Sequence, residues 1–244
     1  MRTGDLEIWL NHFEHHALHP RCMPHGLSDV LRPDERELIA SSIATFQLGE
    51  QSGGRTLLRA SERFAQEKQL AHLPRIIELL IREERRHASL LRDFMQHHRM
   101  PLKRTDWTDR IFRLMRRLSG LQLHVWVLIC AELIGNVYYR ALESVTDCER
   151  LRVLCRCIVA DELAHVGFES QLLSTLPSAG TAWPSAWTRS AHRIFYATTA
   201  MVVWLTHRAV LRRAGHSGRS FLRSCRAQYD FYLQPAGVLI EARP

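Results

Sequence analysis

The chain has 244 residues, 46% of them hydrophobic and 24% charged, with 9 Pro and 12 Gly. That composition excludes a collagenous or disordered polymer and gives no low-complexity linker at which to divide the chain, so residues 1–244 read as one domain able to bury one sizeable core. The formal charge of +8 invites a nucleic-acid partner. The excess is spread along helical arginines, with only Lys68 and Lys103 as lysines, and this argues against a phosphate-binding face.

At the N-terminus, residues 1–20 mix Asp5, Glu7 and Glu14 with four histidines and carry no apolar leader-like stretch, so a cytoplasmic protein is expected. His12, His15, His16 and His19, with Cys22 and His25 nearby, meet no fixed ligand spacing and read as solvated or packing residues. The six cysteines show no C-x-x-C pair and read as free thiols.

Apolar residues recur at helical spacing nearly throughout and no period-two run is bounded by hairpin signals, which predicts an all-α fold. Four stripes stand out. The first runs Ile39, Ile43, Phe46, Glu50, Gly53, Leu57, Phe64, and the second Leu73, Ile76 or Ile77, Leu80, Glu84, His87, Leu91. The third runs Val125, Leu128, Glu132, Gly135, Tyr139, Leu142, and the fourth Leu151, Leu154, Ile158, Glu162, His165, Phe168, Leu172. Each is built from steps of three or four, the mark of a face turned into a bundle core, and each is interrupted by a glutamate. Breaks fall at Gln66 to Gln69, Met100-Pro101 and Thr146-Asp147. A short amphipathic helix is expected at 109–118, and two further helices after Pro184, at about 186–213 and 219–231. The run Ile194 to Leu205 is 12 residues long, short of a spanning helix, and reads as a core helix.

Two segments read Glu-x-x-His: Glu84 to His87 and Glu162 to His165. Chance gives about one such match in a chain with this content of Glu and His, so spacing has to carry the argument. Glu50 precedes Glu84, and Glu132 precedes Glu162, by intervals whose midpoints coincide with two of the breaks. Two antiparallel hairpins joined by a crossover over residues 100–120 would therefore bring four carboxylates and two imidazoles to one level. An unpaired carboxylate costs several kcal/mol when buried, and four such groups exceed what a domain stable by roughly 5 to 15 kcal/mol can carry, so cations must offset them. An oxygen-rich set with two imidazoles suits iron, or manganese, better than zinc. Glu83 and Asp161 precede the motif glutamates; Asp161 is expected to orient His87 and Glu83 to orient His165, the alternative being surface charge.

The set Glu50, Glu84-x-x-His87, Glu132, Glu162-x-x-His165 resembles the ferritin-like di-iron carboxylate superfamily over about residues 36–176, with residues 184–232 as accessory C-terminal helices. The resemblance implies two iron ions, with Glu84 and Glu162 bridging and Glu50 and Glu132 terminal. It does not bring a substrate. Among branches, the chain lacks the paired cysteine motifs of rubrerythrin-like peroxidases, has Leu91 where radical-generating reductase subunits place a tyrosine, and keeps His165, which storage ferritins lack. Gly135 and Asn136 replace the threonine of desaturases and multicomponent monooxygenases, and Ile158 stands where N-oxygenases have a third histidine.

An O2-activating oxidoreductase, an oxygenase or oxidase acting on a small organic substrate with an external electron donor, fits best. A tRNA-modifying di-iron hydroxylase and a non-enzymatic iron-storage protein are the alternatives, and a homodimer is among the assemblies considered. Gly49, Gly53 and Gly54 are costly inside a helix and suggest a cavity or π-bulge beside Glu50, or equally a kink or close helix contact. Gly53 and Gly54, with Gly135, Asn136 and Tyr139, form the candidate pocket. Trp126 and Tyr138 read as packing, and His192 and His207 as satisfied core residues.

Overall fold

The structure is a computed structural model in which residues 3–21, 24, 26–51, 54–105, 120–176 and 186–233 are described. The helix expected at 109–118, and Gly53, Cys22 and His25, lie outside these residues. Eight helices and no strand occur among the described residues: α1 Thr3–Leu18, α2 Pro33–Glu50, α3 Arg55–Lys68, α4 Leu73–His97, α5 Leu121–Ser144, α6 Glu149–Thr175, α7 Ala186–Arg213 and α8 Gly218–Leu233.

The termini follow from local chemistry. Pro33 opens α2, where a missing N–H costs nothing, and the buried Glu35 accepts hydrogen bonds from the backbone N–H of Arg32 (3.2 Å) and of Asp147 (2.8 Å), tying the start of α2 to the α5–α6 turn. At the ends of α3 and α4, Gln69 (φ 57°) and Arg99 (φ 53°) turn left-handed, and Leu70 N–H and Met100 N–H reach back to the carbonyls of Ala65 (3.0 Å) and Met95 (2.8 Å). Pro101 then prevents continuation.

The first stripe is not one helix, as its unbroken periodicity suggests. It divides into α2 and α3, and Glu50 is the last residue of α2. Gly54 explains the break: its φ of +86° is left-handed, and a Cβ there would come within 2.7 Å of Ile81 Cγ2. This glycine is a chain-reversal residue pressed against α4 and not a mid-helix insertion.

The α2–α3 unit and α4 form one antiparallel layer and α5 and α6 the other, with α4 against α6 and α3 against α5. The core between them is Ile39, Ile43, Leu80, Leu91, Leu133 and Leu154, each essentially inaccessible. Burying such side chains contributes roughly 1.5 to 3 kcal/mol apiece. Helices α7 and α8 pack on α5, and α7 also meets α2.

Helix α1 was not anticipated from the sequence. It lies along α4, burying Leu6, Trp9 and Phe13 at helical spacing. Phe13 packs edge-on to Phe168 and stacks beside His165, while Trp9 Nε1 donates to Gln171 Oε1 (2.6 Å).

Two helical stretches, Leu121–Ser144 and Ser190–Arg213, are long and apolar enough to cross a membrane by length and composition alone. The apolar stretch around Ile194 is thus longer than its 12-residue core, because Ala209, Val210 and Leu211 resume it beyond Thr206, His207 and Arg208. The first stretch is 72% buried within the bundle, as a core helix is. The second is 39% buried and leaves Ile194, Met201 and Leu205 exposed, so α7 is a half-buried helix.

Candidate metal centre

Helix α4 presents Glu84 and His87 three residues apart on one face, and α6 presents Glu162 and His165 in the same way. Glu50 at the end of α2 and Glu132 in the middle of α5 complete the set. The ligand-type atoms of Glu50, Glu84, His87 and Glu162 lie within 4.8 Å of one another, and so do those of Glu84, Glu132, Glu162 and His165. Glu84 and Glu162 therefore belong to both groups, whereas Glu50 and Glu132 each belong to one.

The imidazoles have a fixed orientation. His87 Nε2 lies 2.9 Å from Asp161 Oδ2 and His165 Nε2 lies 2.8 Å from Glu83 Oε2, so each ring is held by the acid of the opposite helix. The Nδ1 atoms face inward, His87 at 3.3 Å from Glu162 Oε1 and His165 at 3.1 Å from Glu84 Oε1. His87 Nδ1, His165 Nδ1, Glu84 Oε1, Glu132 Oε2 and Glu162 Oε2 are all buried with no hydrogen-bond partner. Buried polar atoms are normally satisfied, and five orphans converging on one volume fit a set of ligands for a cation.

The side chains also shift one another's protonation. Burial raises Glu50 and Glu132 far above the usual carboxylate range, reinforced for Glu50 by Glu84 and Glu162 and for Glu132 by Glu169 and Glu162. For Glu162, burial pushes the same way but His165 and His87 override it and bring the group down to about 2. Burial alone would lower His87; its hydrogen bond to Asp161 and the negative charge of Glu162 beside its other nitrogen lift it to about 10, and His165 is raised in the same sense.

Beyond the orienting acids lies a cationic layer. The fully buried Asp161 carboxylate receives Arg21 Nε at 2.6 Å and Arg86 Nη2 at 2.5 Å, and Glu83 Oε1 lies 2.5 Å from His16 Nδ1. His16 Nε2 also reaches Asp161 at 3.4 Å, so one residue of α1 spans both acids. The surface-charge alternative for Glu83 and Asp161 does not hold, since both are buried. His16 is likewise not a solvated residue. Only tertiary packing brings it here, and no spacing in the sequence signals it. Among its neighbours His12 stacks on His16, and His15 lies against His19.

Glu169 also escaped the sequence reading. It lies two turns beyond Glu162 on the same face of α6, is 1% exposed, and has both carboxyl oxygens unpartnered. Burial holds its proton on well above the usual range. The seven-residue step from Glu162 was the available signal.

A cavity of about 340 Å³ opens onto the centre, with Glu50, Glu84, Glu132 and Glu162 in its wall. The rest is mostly apolar, supplied by α2, α4, α5 and α7. Of the expected pocket residues, Gly54, Gly135 and Tyr139 line it, together with Gly49. Tyr139 OH donates to Glu50 Oε1 at 2.5 Å. Asn136 does not line it: the side chain is buried with both polar atoms unpartnered. A Cβ at Gly135 would make only an ordinary contact with Tyr139, at 3.9 Å, so that position stays open toward the cavity.

His207 lines the cavity from α7, its Nδ1 2.8 Å from Ser42 Oγ, which is 2.8 Å from Tyr138 OH. His192 lies 2.9 Å from Tyr229 OH and 3.3 Å from Cys130 Sγ, with Trp126 against its ring. Both are satisfied core residues. Cys130, Cys148, Cys155, Cys157 and Cys225 are free thiols. A further group, Asp29, His97 and His98, is partly exposed, and Arg150 already holds Asp29 at 2.6 Å.

Compared with protein-family models, with curated proteins and with solved structures, the chain finds no match in any of the three.

Proposed function

We propose that the chain is a ferritin-like di-iron protein whose centre activates O2 to oxidise a small organic molecule held in the adjoining cavity. The observation that carries this reading is the pair of overlapping four-residue groups sharing Glu84 and Glu162, with five ligand atoms left unpartnered. Glu84 and Glu162 would be shared by both ions, Glu50 with His87 would complete one site, and Glu132 with His165 the other. The donor set of carboxylates and two imidazoles suits iron, or manganese. Bound iron supplies the redox reaction with O2 that these side chains lack.

The chain's own residues do the rest. Asp161 and Glu83 fix the tautomer of the two histidines so that Nδ1 is the inward donor. Tyr139 holds Glu50 at the edge of the cavity, where its phenol O–H fixes the carboxylate's orientation. The apolar wall excludes water from the reacting side, which strengthens the electrostatic interactions inside. With no dinucleotide fingerprint or cysteine cluster in the sequence, electrons would come from an external donor.

The test is metal content and O2 uptake by the reduced protein. Two metal ions per chain are expected, and Glu162→Ala or Glu84→Ala is expected to remove both, because each carboxylate is shared. Unchanged stoichiometry in both variants refutes the centre. Iron far beyond two per chain indicates storage, and two ions without O2 uptake refute the oxidoreductase reading.

A further inference from the structure

The cavity beside the carboxylates has an uneven charge pattern. Its acidic groups all belong to the candidate metal centre, and its remaining wall is built from Phe46, Leu57, Leu80, Ile81, Val203 and similar groups with a few threonines. One cation of the Lys or Arg type lines it, Arg85, which follows Glu84 on α4. One residue further round a helix turns the side chain by about 100°. Glu84 thus faces the centre while Arg85 is exposed where the cavity reaches solvent, as is Gln51 at the end of α2.

Arg85 makes no hydrogen bond or ion pair with another described residue. Its neighbour Arg86 is committed to Asp161 and the carbonyl of Arg21. A guanidinium presents a planar fork of donors suited to a carboxylate or phosphate, and this one has no such partner within the fold. At about 340 Å³ the cavity has the size of a small-molecule site.

We infer that the site takes an amphiphile with one anionic group: an apolar body lying against the carboxylate end of the cavity, and the anion on Arg85 at the mouth. The inference rests on the reading of this cavity as the substrate pocket. The polarity of binding follows from the wall. Without metal the four carboxylates at the deep end repel an anion, and two divalent ions would only neutralise them, whereas at the mouth the anion meets the uncompensated Arg85; an apolar body inside displaces water from apolar surface. Specificity then resides in one charge at the rim and one shape inside.

Four probes of equal chain length test this: decanoate, decyl phosphate, decanol and decylamine, with affinities measured by calorimetry on metal-free and metal-loaded protein. The anionic probes are expected to bind about tenfold more tightly than decanol in both forms. In Arg85→Gln that preference is expected to vanish while decanol is unchanged. Decanoate outranking decyl phosphate identifies a carboxylate as the head group, and the reverse a phosphate. Gly135→Leu, which points a side chain into the cavity, is expected to abolish binding of all four with the helical content intact.

Three outcomes overturn the inference. Decanoate equals decanol in the wild type; an anion preference arises only with metal bound and survives Arg85→Gln, which places the head group on the metal; or decylamine binds best. Failure of the metal reading is seen separately, in the metal content of Glu162→Ala. Anionic amphiphiles can bind metal-free protein whatever that count is.

Discussion

Replacing Glu132 with methionine separates a carboxylate kept for a cation from one kept for the fold. Glu132 is 7% exposed, one of its oxygens has no partner, and the other lies 4.0 Å from His165 Nδ1. Its neighbour Glu169 is another buried carboxyl with no partner. An unsatisfied buried polar group costs about 1 to 3 kcal/mol, and methionine fills a similar space without one. In a chain of this size each kcal/mol moves the melting temperature by about 2 to 4 °C. The metal-free Glu132→Met protein should therefore melt roughly 2 to 12 °C higher than the metal-free wild type.

With metal the order should reverse. At a free metal concentration 100 times the Kd, binding adds about 2.7 kcal/mol to the wild type, and the variant, having lost one of four donors in one group, gains less. The assay is thermal melting followed by circular dichroism, with chelator and with Fe(II) under anaerobic conditions. A metal-free variant less stable than the metal-free wild type would refute the reasoning, because Glu132 would then be part of a structural network.

Asp161→Asn should leave the fold intact and weaken metal binding by about 10- to 100-fold, measured by chelator competition; an effect no larger than that of Glu143→Gln, whose partly exposed carboxylate lies 3.3 Å from Arg156, would show that orienting His87 is not its role. In the metal-free protein the raised pKa of His87, about 10, means that its stabilising contribution is complete below about 6.5 and lost as pH rises toward 10, and the raised Glu50 and Glu132 act in the same direction. Metal-free protein should thus lose melting temperature across that interval, while the increment given by metal grows as protons leave the ligands; a metal-free melting temperature that rises over the same range would contradict this. Phe13→Ala, in α1 against His165 and Phe168, should cost about 3 to 5 kcal/mol in denaturant unfolding, and a change under 1 kcal/mol would mean that α1 is not docked.

The helical class, the turn at 146–147 and the faces of four segments that carry carboxylates were legible in residue order, whereas the break expected at 66–69 falls at 69–72, because α3 continues to Lys68. The legible features follow from the 3.6-residue period and from local breakers, which act within a few residues. Periodicity misled at Gly54, because apolar spacing continues across a break that is set by one left-handed φ and by contact with Ile81. The outer shell was decided by tertiary structure alone. His16, Arg21 and Arg86 meet Glu83 and Asp161 across separations of up to 140 residues, and no short-range pattern encodes such a meeting. The cavity is likewise a property of packing: its wall is shared among helices that only the folded chain assembles, so its volume, its apolar lining and the free Arg85 at its rim could not be read from residue order. The identity of neighbours depends on how helices stack, and stacking is fixed by the summed burial of many side chains and not by any one motif.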